Sequence, residues 1–250
     1  MNTRAVHVSL GDSLASGEGV GVQTPPHRTW PGLLAAAAGA RFVPLAHSGV
    51  PVATVIRDQL PAARALEPDT AYICVGLNDL FRTGGAKDRA HVGVRTLVRR
   101  LRADGTTVVA GRLHDPTHQF RFPPRMGRLI RGHVAGINEC LDELAADPGL
   151  VLLDMSVLVD RCECWAVDRL HPSGFGHRVL AAHAAEHLGV TVSAGRAPRA
   201  PSTAAWWVWL ARHGAPWLAR RLPELATSEP LRRHVRIVAR GPRGCVHSSG

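Results

Sequence analysis

A hydroxyl, an imidazole and a carboxylate stand in this chain at positions from which a fold could join them into one proton-handling unit. Ser13 lies in the run Gly11-Asp12-Ser13-Leu14, at the abrupt end of the first apolar segment. A serine hydroxyl there stays inert until a base takes its proton. Asp168-Arg169-Leu170-His171 places a carboxylate three residues before an imidazole. A turn at that spacing brings both side chains to one side. The aspartate then accepts from one ring nitrogen, fixes the tautomer and stabilises the imidazolium formed when the other nitrogen is protonated. Acyl transfer also needs donors for a developing oxyanion. Gly49, after Ala46-His47-Ser48, offers an unobstructed backbone N–H, and Asn78 in Gly76-Leu77-Asn78-Asp79 offers a side-chain amide. Each piece alone is ordinary: Gly-Asp-Ser suits any turn, Asp-x-x-His suits a helix entry, and Gly and Asn are common turn residues.

What gives the pieces weight is the order of elements that carries them. The first 190 residues alternate short apolar runs with helical patterns, the signature of βα units and a mostly parallel sheet. Strands are expected over 5–10, 42–46, 71–75, 106–110 and 150–154. Helices are expected over 33–38 and over 52–66, the second interrupted by Pro61. Further helices are expected over 89–102, with Val94, Leu97, Val98 and Leu101 on one face, then over 125–146 and 173–188. Five strands in this order predict an α/β fold, a three-layer α/β/α sandwich with a five-stranded mostly parallel sheet. Ser13, Gly49 and Asn78 follow the first, second and third strands, and His171 precedes the last helix. In such sheets ligands bind beyond the carboxyl ends of the strands.

With these blocks in place, the chain resembles the SGNH (GDSL-type) hydrolases over about residues 5 to 188. The matching blocks are Gly11-Asp12-Ser13-Leu14, the Gly of Ser48-Gly49, Gly76-x-Asn78-Asp79 and Asp168-x-x-His171, in that order. Gly17-Glu18-Gly19, His171-Pro172-Ser173 and Gly176-His177 are also similar to the family. The resemblance implies the flavodoxin-like SGNH fold, with Ser13 as nucleophile, His171 as base and Asp168 as its orienter. It implies an oxyanion hole made of the Ser13 and Gly49 N–H groups and the Asn78 amide. The implied activity is hydrolysis of a small-molecule carboxylic ester or thioester through an acyl-serine intermediate. An acyltransferase would use the same residues with a different acceptor, and a binding protein acting through the C-terminal tail is the remaining alternative.

Composition bounds the rest. At 250 residues and 45% hydrophobic, the chain can bury a full core. No apolar run approaches the ~18 residues of a spanning helix, and the opening Met-Asn-Thr-Arg lacks the stretch and cleavage site of a secretory signal. A cytoplasmic location is therefore expected. Five irregularly spaced cysteines read as free thiols. His114, Asp115 and His118 read as a solvated, substrate-facing loop rather than metal ligands, and Gly17 to Gly21 lacks the lysine of a phosphate loop. No metal and no cofactor are expected.

The character changes after Gly189. Residues 1–190 read as the catalytic domain, 191–203 as a linker, and 204–250 as a basic helical extension rich in Trp and Arg. Residues 196–250 hold ten arginines against only Glu224 and Glu229, whereas residues 1–195 are nearly balanced. Trp206, Trp207, Trp209 and Trp217 fall within twelve residues, and a basic amphipathic helix is expected around 231–240. Packing of these tryptophans onto the sandwich is the first reading. Contact with a lipid or membrane surface is the second, and nucleic acid the least favoured.

Overall fold

In the computed structural model the described residues are 4–82, 86–217 and 219–220. Five strands form one sheet: β1 (Val6–Gly11), β4 (Arg41–Pro44), β5 (Thr70–Cys74), β6 (Thr107–Arg112) and β7 (Leu150–Asp154), in the order β4-β1-β5-β6-β7 and parallel throughout. The central strand β5 is buried along its whole length, as a parallel strand covered on both faces must be. A second, two-stranded sheet pairs β2 (Glu18–Gly19) with β3 (Val22–Gln23) as a small antiparallel hairpin.

The chain runs from β1 to β4 on one side and then returns to β5 on the other. The ends of β1 and β5 are therefore the switch point of the sheet, where an open crevice forms. Behind Ser13 the chain enters the short helix α1 (Ser13–Ser16) and then α2 (Trp30–Ala37). The fully buried Trp30 donates from its indole N–H to the Leu14 carbonyl at 3.1 Å, which ties these two helices together.

Helix α2 packs with α7 (Gly174–Leu188), while α5 (Ala86–Ala103) packs with α6 (Pro124–Asp142). Each long helix buries one stripe. In α5 it is Val94, Leu97, Val98 and Leu101; in α6 it is Ile130, Val134, Ile137 and Leu141. These side chains and the strand interiors form one contiguous core.

Most expected elements stand within a turn of their positions. The helix expected over 52–66 is not broken at Pro61. It runs as α3 (Val52–Thr54), a wide π-turn (Val55–Gln59) and α4 (Leu60–Arg64). Proline lacks an N–H and crowds the carbonyl one turn back, and the widened turn just before it accommodates both.

The segment expected to be a linker has no regular structure over 190–202, yet Val190, Val192 and Ala194 pack on the core and the Ala194 carbonyl accepts from Arg178. Helix α8 (Thr203–Trp209) and a π-turn (Leu210–Gly214) follow. The helix expected around 231–240 lies outside the described residues. Cys74, Cys140 and Cys164 are free, as expected, but Cys162 is disulfide-bonded.

Candidate active site

Strand β1 delivers the nucleophile candidate by way of a glycine that nothing else could replace. Gly11 has φ +126°, and a β-carbon there would lie 1.9 Å from the Cys74 carbonyl oxygen on β5. Its N–H donates to the Gln59 side-chain oxygen at 2.7 Å, and its carbonyl accepts from the Gln59 amide at 3.0 Å. Gln59, buried in the π-turn, thus clamps both polar groups of the strand terminus. Asp12 then caps α1 by accepting from the Leu14 N–H at 3.0 Å, and Ser13 opens that helix in a nearly buried position.

His171 comes from the far end of the chain. Arg169 adopts φ +58°, a left-handed turn between Asp168 and His171. Asp168 Oδ1 accepts from the N–H groups of Leu170 and His171 at 3.0 and 3.1 Å, which folds the carboxylate back under the ring. Its Oδ2 lies 2.6 Å from His171 Nδ1, and His171 Nε2 lies 2.8 Å from Ser13 Oγ. With Asp168 accepting at Nδ1, the ring proton sits there, and Nε2 faces the hydroxyl as an acceptor. All three residues are buried, with exposures of 8% for Ser13, 3% for Asp168 and 7% for His171.

Two neighbouring loops complete the crevice. Asn78 lies in the 3₁₀ turn Leu77–Phe81 that follows β5, and its amide donates to Asp12 Oδ2 at 3.0 Å. Asp79 accepts from the Val52 N–H at 3.0 Å and so anchors this turn to the start of α3. Gly49, in the turn after β4, has φ +75°, and its carbonyl accepts from Arg82 at 2.9 Å, which ties this turn to that of Asn78. The strand order β4-β1-β5 sets Gly49, Ser13 and Asn78 at the ends of three adjacent strands.

Burial dominates the electrostatics here. It pushes Asp12 up to about 6 against the opposing donors from Leu14, Asn78 and Gly76, and Asp79 likewise to about 6. His177, fully buried in α7, is held down to about 3 by burial, and its Nδ1 accepts from the Trp30 N–H at 3.3 Å.

The loop after β6 departs from its expected solvated character. His114 is buried with its ring 4.7 Å from that of Trp165, and burial holds its pKa down to about 4. Asp115 instead caps a short turn through the Thr117 N–H, and His118 is its exposed neighbour. Three supporting contacts were not read from the sequence: Gln59 with Gly11, Asp12 with Asn78, and Gly19, noted only within the run Gly17-Glu18-Gly19, with His171. A β-carbon on Gly19 would lie 2.4 Å from His171 Nδ1, so the β2–β3 hairpin rests directly against the imidazole.

A model of the GDSL-like lipase/acylhydrolase family matches residues 9–179. No curated protein matches the chain. Among solved structures it is similar to Axe2, an acetylxylan esterase from Geobacillus stearothermophilus, at TM-score 0.57 and 19% identity over 78% of this chain and 97% of that one. It is similar to the psychrotrophic esterase EstA from Pseudoalteromonas sp., in a structure inhibited by monoethylphosphonate, at TM-score 0.55 and 18% identity over 74% and 96% of the two chains. LAE5, an alpha/beta hydrolase enzyme from the metagenome of Lake Arreo, gives TM-score 0.57 and 20% identity over 76% and 97%.

Proposed function

Because the chain belongs to the GDSL-like lipase/acylhydrolase family, we propose that it is a serine esterase working through Ser13, His171 and Asp168 on a small carboxylic ester. Ser13 Oγ attacks the ester carbonyl carbon while its proton passes to His171 Nε2. Asp168 stabilises the resulting imidazolium through Nδ1. The carbonyl oxygen, now an oxyanion, takes donors from the Ser13 and Gly49 N–H groups and the Asn78 amide. Collapse of this intermediate breaks the ester C–O bond. His171 returns the proton to the departing alkoxide, and an acyl-Ser13 remains. Water gives a proton to His171 and attacks the acyl carbon, and the second collapse frees the acid and restores Ser13.

The observation that carries this reading is the relay of 2.8 and 2.6 Å contacts joining residues 13, 171 and 168 inside a buried site. Burial strengthens each of those polar contacts. A solved structure similar to this chain, that of EstA, is inhibited by a phosphonate, and the same chemistry supplies the test. Incubation with a serine-reactive ethylphosphonate, followed by peptide mass spectrometry, is expected to place one adduct on Ser13, with none in Ser13→Ala and slow labelling in His171→Ala. Adducts elsewhere, or full esterase activity in Ser13→Ala, would overturn the assignment. Running the reaction with an added alcohol and measuring free acid against transferred ester distinguishes hydrolysis from acyl transfer. Free acid as the dominant product is the expected result.

A further inference from the structure

Helix α8 and the turn after it have two unlike faces. On the inner face Trp206 and Gly214 are buried, and the Trp209 indole N–H donates to the Val20 carbonyl at 2.5 Å. A β-carbon on Gly21 would lie 2.5 Å from the His213 ring, so that ring rests against the hairpin turn. The hairpin's other contact is Gly19 against His171. Helix α8 is thereby tied to the rim of the candidate site, one hairpin away from the imidazole.

The outer face is apolar. Trp207 is 46% exposed and Val208 52%; the other large apolar side chains exposed among the described residues are Trp217, farther along the chain, and Val92. Ala204, Ala205, Ala211 and Ala215 are exposed on the same segment as Trp207 and Val208. Residues 203–220 contain no acid, while Arg212 and Arg220 are exposed, and residues 196–250 carry ten arginines against two glutamates. A contiguous exposed apolar patch on a monomer marks a contact surface. An exposed indole and small apolar side chains on a segment that also exposes Arg212 and Arg220 match the boundary of an anionic bilayer, where rings sit at headgroup depth and cations meet lipid phosphates. A second copy of the chain would bring two strongly cationic segments together. A nucleic acid would stack a base on Trp207 but leave Val208 and the exposed alanines without an apolar counterpart.

We propose that the outer face of residues 203–217, centred on Trp207 and Val208, docks on an anionic phospholipid surface and sets the active-site rim against it. Docking does not depend on ester chemistry, so the two assignments fail separately.

The test uses the full chain, sedimented with vesicles of phosphatidylcholine mixed with phosphatidylglycerol and with vesicles of phosphatidylcholine alone, at low and high salt. The chain is expected to co-sediment with the anionic vesicles and to release as salt screens the contact. Trp207→Ser/Val208→Ser is expected to weaken binding ~10-fold or more while soluble-ester hydrolysis and circular dichroism stay unchanged. Trp207→Phe, which keeps a ring against Trp206, is expected to retain most of the binding. Four outcomes would each overturn the proposal: no vesicle binding, salt-independent binding to phosphatidylcholine alone, undiminished binding by the double variant, or concentration-dependent dimers that vanish in that variant without vesicle binding.

Discussion

The amide of Asn78 is held by the carboxylate of Asp12, 3.0 Å away and buried directly beside Ser13. One of the two amide N–H groups is thereby committed to Asp12, and this fixes the direction of the other. Under the proposed mechanism Asp12 is a positioning residue: it touches Leu14 and Asn78, and would act on the oxyanion through Asn78.

Asp12→Asn keeps the size of the side chain but presents an NH₂ where Asn78 now donates. The Asn78 amide must then turn its oxygen toward residue 12, and its second N–H is lost to the site. A fall of ~100-fold in kcat with KM nearly constant is expected, the size of losing one oxyanion donor. Asn78→Ala should show the same loss. It should also be less stable by about 1–3 kcal/mol, because the buried carboxylate loses a partner. Since the two residues act as one unit, the double variant should turn over no more slowly than Asn78→Ala. Additive losses in that cycle would separate Asp12 from Asn78.

The blocks of the candidate site were legible because each sits at the end of a strand whose apolar run is unmistakable, and because a parallel sheet gathers such ends at one edge. The loop around Asp168 was legible for a different reason: Asp-x-x-His is local, and one turn suffices to close it. Gln59 was not legible. It lies 48 residues from Gly11, and its role comes from a π-turn forced by Pro61. A glutamine in a helical run otherwise reads as solvated surface. The contact of Gly19 with His171 and the burial of His114 were not legible either, since a hairpin of two-residue strands and a buried loop histidine depend on tertiary packing rather than on pattern.

Gln59→Leu tests that clamp. Leucine fills the space but leaves the Gly11 N–H buried without a partner, at about 1–3 kcal/mol, while the Gly11 carbonyl keeps the His47 N–H at 3.1 Å as its one remaining donor. The midpoint of thermal unfolding should fall by several degrees, and kcat should fall with it, because the clamped residue lies two positions before Ser13. Thermal unfolding and soluble-ester kinetics on the same preparation check both. An unchanged melting temperature would mean that other groups or water satisfy Gly11.

His177 makes stability depend on pH with a definite sign. Burial holds its pKa at about 3, far below the ordinary 6.5. Between those values the unfolded chain binds a proton that the folded chain refuses, so its contribution to stability is lost as pH falls from 6.5. The slope is about 1.4 kcal/mol per pH unit. In His177→Gln, where a side-chain oxygen can still accept from Trp30, this loss is absent. Between pH 7 and pH 5 the wild-type advantage in unfolding free energy should shrink by ~2 kcal/mol. Urea unfolding of both proteins at the two pH values measures the difference. A pH-independent gap would show that His177 takes up its proton in the folded state as easily as in the unfolded one.

Gly19→Ala addresses the contact between the hairpin and the base. The new methyl would stand 2.4 Å from His171 Nδ1 and 2.6 Å from Val22 Cγ2, so something must move. The imidazole is pinned at both nitrogens, by Ser13 at 2.8 Å and Asp168 at 2.6 Å. The hairpin pairs only two residues on each side and is the softer partner, although Trp209 braces its turn through Val20. Whichever yields, the ring loses its support or shifts by a fraction of an ångström. Misplacement of ~1 Å can cost ~100-fold in rate, and a loss of ~10-fold to ~100-fold in kcat/KM is expected here. The core is untouched, so the melting temperature should move by only a few degrees. Phosphonate labelling of Ser13 should slow by the same factor as turnover, because both require the same proton transfer to His171. Slow turnover with labelling at the wild-type rate would place the effect in substrate binding instead, and the hairpin would then be a pocket wall rather than a support for the base.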